Sequence, residues 1–188
     1  MSDPSIPDRI NYANLKENKK LAEILENKIQ QLLLIGATHI MICCFTAHYF
    51  ISLFSKENQK NLIHLGVILE KYLEKNQKPT VILCSNLLKQ SKLIDSEYAI
   101  YPEESYFSKI HDLIYKIKLE GPDKHKHAVI VLSEALGKHY QTNCILFACT
   151  EFHLIYQALH TNNNNYKIHF LDGLDITANF IINLCAKK

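Results

Sequence analysis

The sequence predicts an α/β protein built from successive units of parallel strands and helices. Short apolar runs without polar alternation, such as "THIMICC" (38–44) and "NCILFAC" (143–149), are typical of strands that are buried on both faces. Between these runs, apolar residues recur at helical spacing. Because strands and helices alternate along the chain, we expect parallel sheets joined by right-handed crossovers.

The first half of the chain begins with a helix over 14–36, which carries Leu and Ile at helical spacing and ends at Gly36. The strand 38–44 follows, and "TAHYFISLFS" (46–55) predicts the next helix. The later elements of this half are a helix around 65–76, the strand "TVILCS" (80–85), and a loop and helix after "SNLLKQS" (85–91).

The second half repeats the alternation of strands and helices. A long helix ends at Gly121, with Pro122 directly behind it. In order, the predicted elements are a short strand near 98–102, helices over 103–121 and 124–139, the strand 143–149, a helix over 150–160, the strand 167–173 and a final helix from Ile176.

Composition excludes several classes of function. The formal charge of +2 is scattered along 188 residues, so we predict no nucleic-acid partner. The apolar runs are too short to span a bilayer, and the N-terminus lacks the pattern of a signal peptide, so we predict no membrane association and a cytoplasmic location. The 6 cysteines do not have the spacing of a zinc site, and we predict that most of them are reduced and that they bind no metal.

Two cysteines stand at equivalent places in the pattern. Cys44 and Cys149 each close a predicted strand, and a Thr that opens the next helix follows within two residues. Ligands of open α/β sheets bind beyond the carboxyl ends of the strands, and the N-terminus of a helix favours a thiolate. The sequence therefore offers two activated thiols, although cysteines in buried strands are commonly only core residues. We assign that core role to the remaining cysteines, Cys43, Cys84, Cys144 and Cys185.

Six segments of the chain resemble, in order, the cofactor-independent aspartate/glutamate racemase superfamily, most closely its aspartate racemase branch. "CFTAH" (44–48) is similar to the signature C-N-T-A-H, and "ACTEF" (148–152) is similar to G-C-T-E. The further matches are "DPSIPDR" (3–9), "NLIHL" (61–65), "IYPEESYFSKIHDLIYKIKLEG" (100–121) and "HFLDGLDITA" (169–178).

The resemblance implies a racemase of aspartate or glutamate that works without pyridoxal phosphate or any other cofactor. Cys44 and Cys149 would be the catalytic residues, one removing the Cα proton and the other returning a proton to the opposite face. Arg9, the single arginine among 21 basic residues, would hold the side-chain carboxylate, since guanidinium binds it bidentately. The other implied substrate-binding residues are Thr46, Thr150, Glu151, Ser85 and Lys118.

The resemblance also implies two α/β domains with the active site between them and a possible homodimer. The expected domains are 1–77, completed by the C-terminal helix 174–188, and 78–173. Family members begin with a strand and a G-G-M-G-P loop that this sequence does not show, so we expect the first domain to be truncated at its N-terminus.

Other departures from the family concern the binding of carboxylates. Phe45 replaces the Asn of C-N-T-A-H, and Leu87 and Leu88 replace a Gly-Thr pair of the T-P-G-T-x-x-S loop. Three readings therefore stay open: an active racemase, a degenerate racemase fold that serves as a binding or interaction module, or a related enzyme such as a hydantoin racemase or a decarboxylase of substituted malonates.

Overall fold

The structure is a computed structural model that describes residues 15–160 and 166–186. The chain divides into two compact units, residues 1–64 and 65–188. Both contain parallel strands connected through helices, so the prediction of an α/β fold with parallel sheets is confirmed.

The first unit is organised around helix α1, Leu15–Leu34, as the sequence predicts. Leu21, Leu25 and Ile29 are buried along one face of α1, which packs on a 3-10 helix, Phe45–Leu53. Gly36 ends α1 with a positive φ of 95°, a conformation that costs glycine little. Two short strands, β1 (Ile40–Met41) and β2 (Leu62–Ile63), pair in parallel, and α2 (Lys56–Gln59) lies between them in sequence.

The strand predicted over 38–44 is shorter than expected. Only Ile40 and Met41 are extended and paired, because the backbone turns directly afterwards: the N–H of Cys44 donates to the carbonyl of Ile42 at 2.8 Å. Cys44 therefore does not close a strand but precedes the 3-10 helix. Strand β2 was not predicted.

The second unit contains a four-stranded parallel sheet in the order β4-β3-β5-β6. Its strands are β3 (Thr80–Cys84), β4 (Ala99–Ile100), β5 (Cys144–Ala148) and β6 (His169–Asp172). Its helices are α3 (Leu65–Asn76), α4 (Asn86–Ser91), α5 (Glu104–Glu120), α6 (Lys126–His139), α7 (Thr150–His160) and α8 (Gly173–Cys185).

The core of the second unit lies around β3 and β5, in which every residue is buried. The rings of Phe147 and Phe152 stack with centroids 5.5 Å apart, which joins β5 to α7. Burying such a side chain contributes about 1.5–3 kcal/mol of hydrophobic free energy. The continuous apolar runs around 80–85 and 143–149 thus form the two central strands, β3 and β5.

Helix α8 begins three residues before the predicted start at Ile176. Asp172, the last residue of β6, is its N-cap, and Oδ1 of Asp172 accepts a hydrogen bond from the N–H of Asp175 at 2.8 Å. This cap satisfies one of the free N–H groups of the first turn, so the chain passes from strand to helix without a loop.

The compact units differ from the predicted domains at helix α3. This helix belongs to the second unit, where it packs against α8. The sequence places α3 and the C-terminal helix together as well, but in the first domain. The division into functional domains at 77/78 stays a prediction.

A cavity of about 1070 Å³ runs along β6, the edge strand of the second sheet. Its walls come from α3, α7 and α8, and its lining includes Asp172 but neither Cys149 nor Ser85. Within residues 15–160 and 166–186, no helix is long and apolar enough to cross a membrane.

Candidate active site

Three neighbouring strands of the second unit end side by side. In the sheet register, Cys84 of β3 pairs with Ala148 of β5, and Phe147 of β5 pairs with Asp172 of β6. Adjacent strands lie about 4.8 Å apart, so the residues after these pairs form a row at the carboxyl edge. Ser85 and Cys149 are neighbours in this row, at the location where ligands of α/β sheets bind.

Cys149 lies at the junction between β5 and α7 and is held by the first turn of the helix. Its Sγ donates to Oε2 of Glu151 at 2.9 Å, and the hydroxyl of Thr150 donates to the same oxygen at 3.0 Å. The thiol is buried, with 6% of Cys149 exposed. The structure thus brings three predicted site residues, Cys149, Thr150 and Glu151, into one hydrogen-bonded group.

Ser85 occupies the position beside Cys149, but its side chain is hydrogen-bonded to the backbone of the next helix. Ser85 is the N-cap of α4, and its Oγ accepts a hydrogen bond from the N–H of Leu88 at 3.4 Å. Both Ser85 and Leu88 are buried. Its predicted role toward a substrate stays a prediction.

A histidine–aspartate pair flanks Cys149 on the side of β6. Nδ1 of His153 lies 2.9 Å from Oδ1 of Asp172, whose side chain is fully buried. Burial raises the pKa of the Asp172 carboxyl, and its hydrogen bonds with Asp175 and His153 act in the opposite direction. His153 was not predicted as a site residue. The available signal was the spacing Cys149-x-x-x-His153, which puts His153 one helical turn after the residue that precedes α7.

The first unit holds Cys44 and its neighbours. Cys44 is half-buried and is the N-cap residue of the 3-10 helix, with an extended backbone. Thr46 is buried within the first turn of that helix. Phe45 is also buried, with 2% exposed, so the side chain that replaces the family asparagine belongs to the hydrophobic core.

His48 fixes the turn that carries Cys44. Its Nε2 donates to the carbonyl of Ile42 at 3.0 Å, the same oxygen that accepts the N–H of Cys44. Burial lowers the pKa of His48 to about 4, an effect opposed by the Ile42 hydrogen bond and reinforced by His64, whose ring packs edge-on at 5.2 Å. His48 is therefore neutral near pH 7 and acts on the backbone conformation.

The two remaining predicted substrate-binding residues are Arg9 and Lys118. Arg9 lies outside the described residues. Lys118 is exposed in the last turn of α5, where a cation interacts favourably with the carbonyls at the helix end. Their roles toward a substrate stay predictions.

The cysteines without a predicted catalytic role divide into two pairs. Cys84 and Cys144 are buried in β3 and β5, and burial raises the pKa of both thiols, so they fit the predicted core role. That interpretation is wrong for Cys43 and Cys185, which are exposed. Cys43 lies in the turn after β1, and Cys185 is the last residue of a helix with few buried residues. Among the described residues, no group of three or more His, Cys, Asp or Glu could hold a metal ion.

A parallel α/β sheet with a thiol and a carboxylate at its carboxyl edge is typical of proteins that bind a ligand at that edge. The chain belongs to the Asp/Glu/Hydantoin racemase family, which matches it over residues 1–181. The resemblance seen in the sequence motifs is thereby confirmed.

Solved structures show which folds the chain is similar to. An aspartate racemase from Picrophilus torridus superposes with a TM-score of 0.69 at 21% identity, covering 96% of this chain and 76% of that one. An aspartate racemase homologue from Pyrococcus horikoshii gives a TM-score of 0.67 at 16% identity, covering 92% of this chain and 77% of that one. At these identities the likeness concerns the fold. No curated protein sequence is significantly similar to this chain.

Proposed function

We propose that the chain is a pyridoxal-phosphate-independent racemase of an acidic amino acid, aspartate or glutamate. The observation that carries this proposal is the thiol of Cys149 hydrogen-bonded to Glu151 at the carboxyl end of β5, in a chain of the Asp/Glu/Hydantoin racemase family. A buried thiol with a carboxylate at 2.9 Å is equipped to exchange a proton with a bound substrate.

The proposed reaction removes the proton from one face of Cα and delivers a proton to the opposite face. The thiolate of one cysteine removes the Cα proton and becomes a thiol, which leaves an enediolate on the substrate. The other cysteine gives its S–H proton to the opposite face of Cα and becomes the thiolate. Racemisation in the reverse direction exchanges the roles of Cys44 and Cys149.

Glu151 determines which form Cys149 takes at rest. A carboxylate beside the sulfur disfavours a second negative charge and accepts the hydrogen of the thiol, so Cys149 is the acid of the resting enzyme. Cys44, directly before the first turn of the 3-10 helix, takes the role of the base. The enzyme in this state is ready to remove the Cα proton with Cys44.

The substrate is held by the polar groups implied by the resemblance. Arg9 takes the side-chain carboxylate, and the second oxygen of Glu151 takes the ammonium group, because Oε2 already accepts from Cys149 and Thr150. Thr46, Ser85 and Lys118 complete the proposed set.

Proton exchange at Cα tests this function. The reduced protein is incubated in D2O with L-aspartate, D-aspartate, L-glutamate or D-glutamate, and the loss of the Cα proton signal is followed by NMR, with L-alanine as the matched control. We expect exchange of at least one acidic amino acid and none of alanine. Arg9→Lys should raise KM for the acidic substrate; a folded protein that exchanges none of the four would contradict the proposal.

One observation favours a second function, that of a binding or interaction module on a racemase fold. Phe45 is buried where the family places an amide that can hydrogen-bond a substrate. A protein that binds acidic amino acids without exchanging Cα protons would establish this alternative.

A further inference from the structure

We propose that His153, held by Asp172, is an additional substrate-binding residue that takes the α-carboxylate of the amino acid at the Cys149 site. The inference rests on the proposed function and deepens it, because it names the group that would stabilise the charge formed when the Cα proton leaves.

The fold places His153 beside Cys149. The N–H of His153 donates to the carbonyl of Cys149 at 3.1 Å, so Cys149, directly before α7, and His153 lie one helical turn apart. Side chains four positions apart share a helix face, with Cβ atoms about 5–6 Å from one another. A substrate whose Cα meets the Cys149 sulfur therefore has its α-carboxylate within reach of the imidazole.

The contact with Asp172 fixes the direction of the imidazole ring. As a carboxylate, Asp172 can only accept, so Nδ1 of His153 carries the hydrogen of the 2.9 Å contact. Asp172 is itself held by the N–H of Asp175, and its side chain is fully buried, whereas 26% of the His153 side chain is exposed. Nε2 is thus the ring atom that can meet a ligand, and it donates when the ring is protonated.

A further donor for the substrate carboxylate would complement the side chains that the chain carries at the family's binding positions. The side chain at 45 is a buried phenyl ring, and the loop after β3 carries Leu87 and Leu88. Among positions 45, 85, 87 and 88, only Ser85 has a side-chain donor, since its oxygen accepts from Leu88 as the cap of α4 and its hydroxyl hydrogen is not part of that bond. A cation supported by a buried carboxylate stabilises the enediolate more than the substrate, because the charge on the carboxylate oxygens increases when the proton is removed.

The pair could instead serve only to join α7 to the start of α8. That role would be visible in stability, whereas a substrate contact would be visible in kinetics and in the ring itself. His153→Gln removes the imidazole, His153→Lys places an ammonium group at the same position, and His111→Gln replaces an exposed histidine of α5 in the same unit as a control.

The experiment measures Cα exchange kinetics in D2O for L-aspartate and L-glutamate. We expect His153→Gln to lower kcat/KM roughly tenfold to hundredfold for both substrates alike, since both carry the α-carboxylate, and His153→Lys to recover most of the loss. His111→Gln should match the wild type. Unchanged kcat/KM in folded His153→Gln would overturn the inference.

A second readout keeps the inference separate from the proposed function. The ring resonances of His153, assigned by comparison with His153→Gln, are followed in a proton–nitrogen NMR spectrum during titration with L-aspartate. We expect the Nε2 signal to shift on saturation; binding without any shift of this ring overturns the inference. A wild type that shifts this signal but exchanges no Cα proton would disprove the racemase activity and leave the carboxylate contact standing.

Discussion

Glu151 is the residue whose position bears most directly on the proposed role of Cys149. Its Oε2 accepts hydrogen bonds from both the thiol of Cys149 and the hydroxyl of Thr150, next to the N-terminus of α7. The helix end favours a negative charge on sulfur, and the carboxylate disfavours it. The carboxylate oxygen lies 2.9 Å from the sulfur and accepts its hydrogen bond, so we expect Glu151 to oppose formation of the thiolate.

The reactivity of Cys149 should therefore increase when Glu151 becomes neutral. In Glu151→Gln the amide can donate to a thiolate, so we expect alkylation of Cys149 by iodoacetamide at pH 7 to be about threefold to tenfold faster than in the wild type. The rate is measured by mass spectrometry of the peptide that contains Cys149. Glu134→Gln, an exposed carboxylate of α6, is the control and should not change it. Slower alkylation in Glu151→Gln would mean that Glu151 acts as the base that deprotonates the thiol.

His48 should make the protein less stable in acid. Its pKa is lowered by burial from an ordinary value of 6.5 to about 4, so the folded state holds the ring neutral where the unfolded chain protonates it. The stabilisation is complete above about pH 6.5 and is lost as the pH falls toward 4.

Replacing His48 with a side chain that does not titrate should remove this dependence. Between pH 7.5 and 4.5 we expect the free energy of unfolding of the wild type to fall by roughly 2–3 kcal/mol more than that of His48→Gln, whose amide can still donate to Ile42. Urea unfolding at the two pH values measures the difference, with His111→Gln as the exposed control. If His48→Gln loses as much stability as the wild type, the ring is not held neutral.

At the residue scale, the sequence predicted the residues of local motifs and missed a pair formed by the sheet. Cys149, Thr150 and Glu151 are consecutive, so a strand followed by a helix is enough to group them. His153 and Asp172 are 19 positions apart and meet because β5 and β6 pair in register. A single sequence does not contain that register, so the pair could be found only in the structure.

At the scale of elements, the long and periodic segments matched the sequence, as did the short strands β4 and β6, whereas β1, β2 and the start of α8 did not. Helices α1, α3, α5, α6 and α7 lie where apolar spacing placed them, and β3 and β5 are the continuous apolar runs. Strand β1 ended early because a local hydrogen bond between Cys44 and Ile42 turned the chain. Helix α8 began early because Asp172 caps it. Apolar periodicity does not encode either contact.

The start of α3 depends on a close approach that only glycine permits. A Cβ on Gly66 would lie 2.3 Å from the carbonyl oxygen of Leu93 and 2.9 Å from its Cγ. Gly66→Ala should therefore lower the free energy of unfolding by about 1–3 kcal/mol, although alanine is the better helix former. Urea unfolding tests this, and Glu74→Ala, an exposed change on the same helix, should be close to neutral. A stabilised Gly66→Ala protein would contradict the close packing of α3 on this loop.

At the scale of the whole molecule, the sequence predicted the α/β class and the racemase family, and both are confirmed. The order of six motifs along the chain carried the family assignment. The boundaries of the compact units were harder to predict. A contact between α3 and α8 joins parts of the chain that are about a hundred residues apart. The two proposed catalytic thiols, Cys44 and Cys149, belong to different units.

The measurement that tests the central claim most directly is Cα proton exchange in D2O by two variants that each lose one cysteine, Cys44→Ser and Cys149→Ser. Cys84→Ser, which changes a cysteine of a buried strand, is the matched control. With both enantiomers of the acidic substrate, we predict that racemisation is lost in the two catalytic variants and kept in Cys84→Ser. The thiol that remains in each variant should still exchange the proton of one enantiomer more than the other. Racemisation at the wild-type rate by a folded Cys149→Ser protein would contradict the two-thiol mechanism.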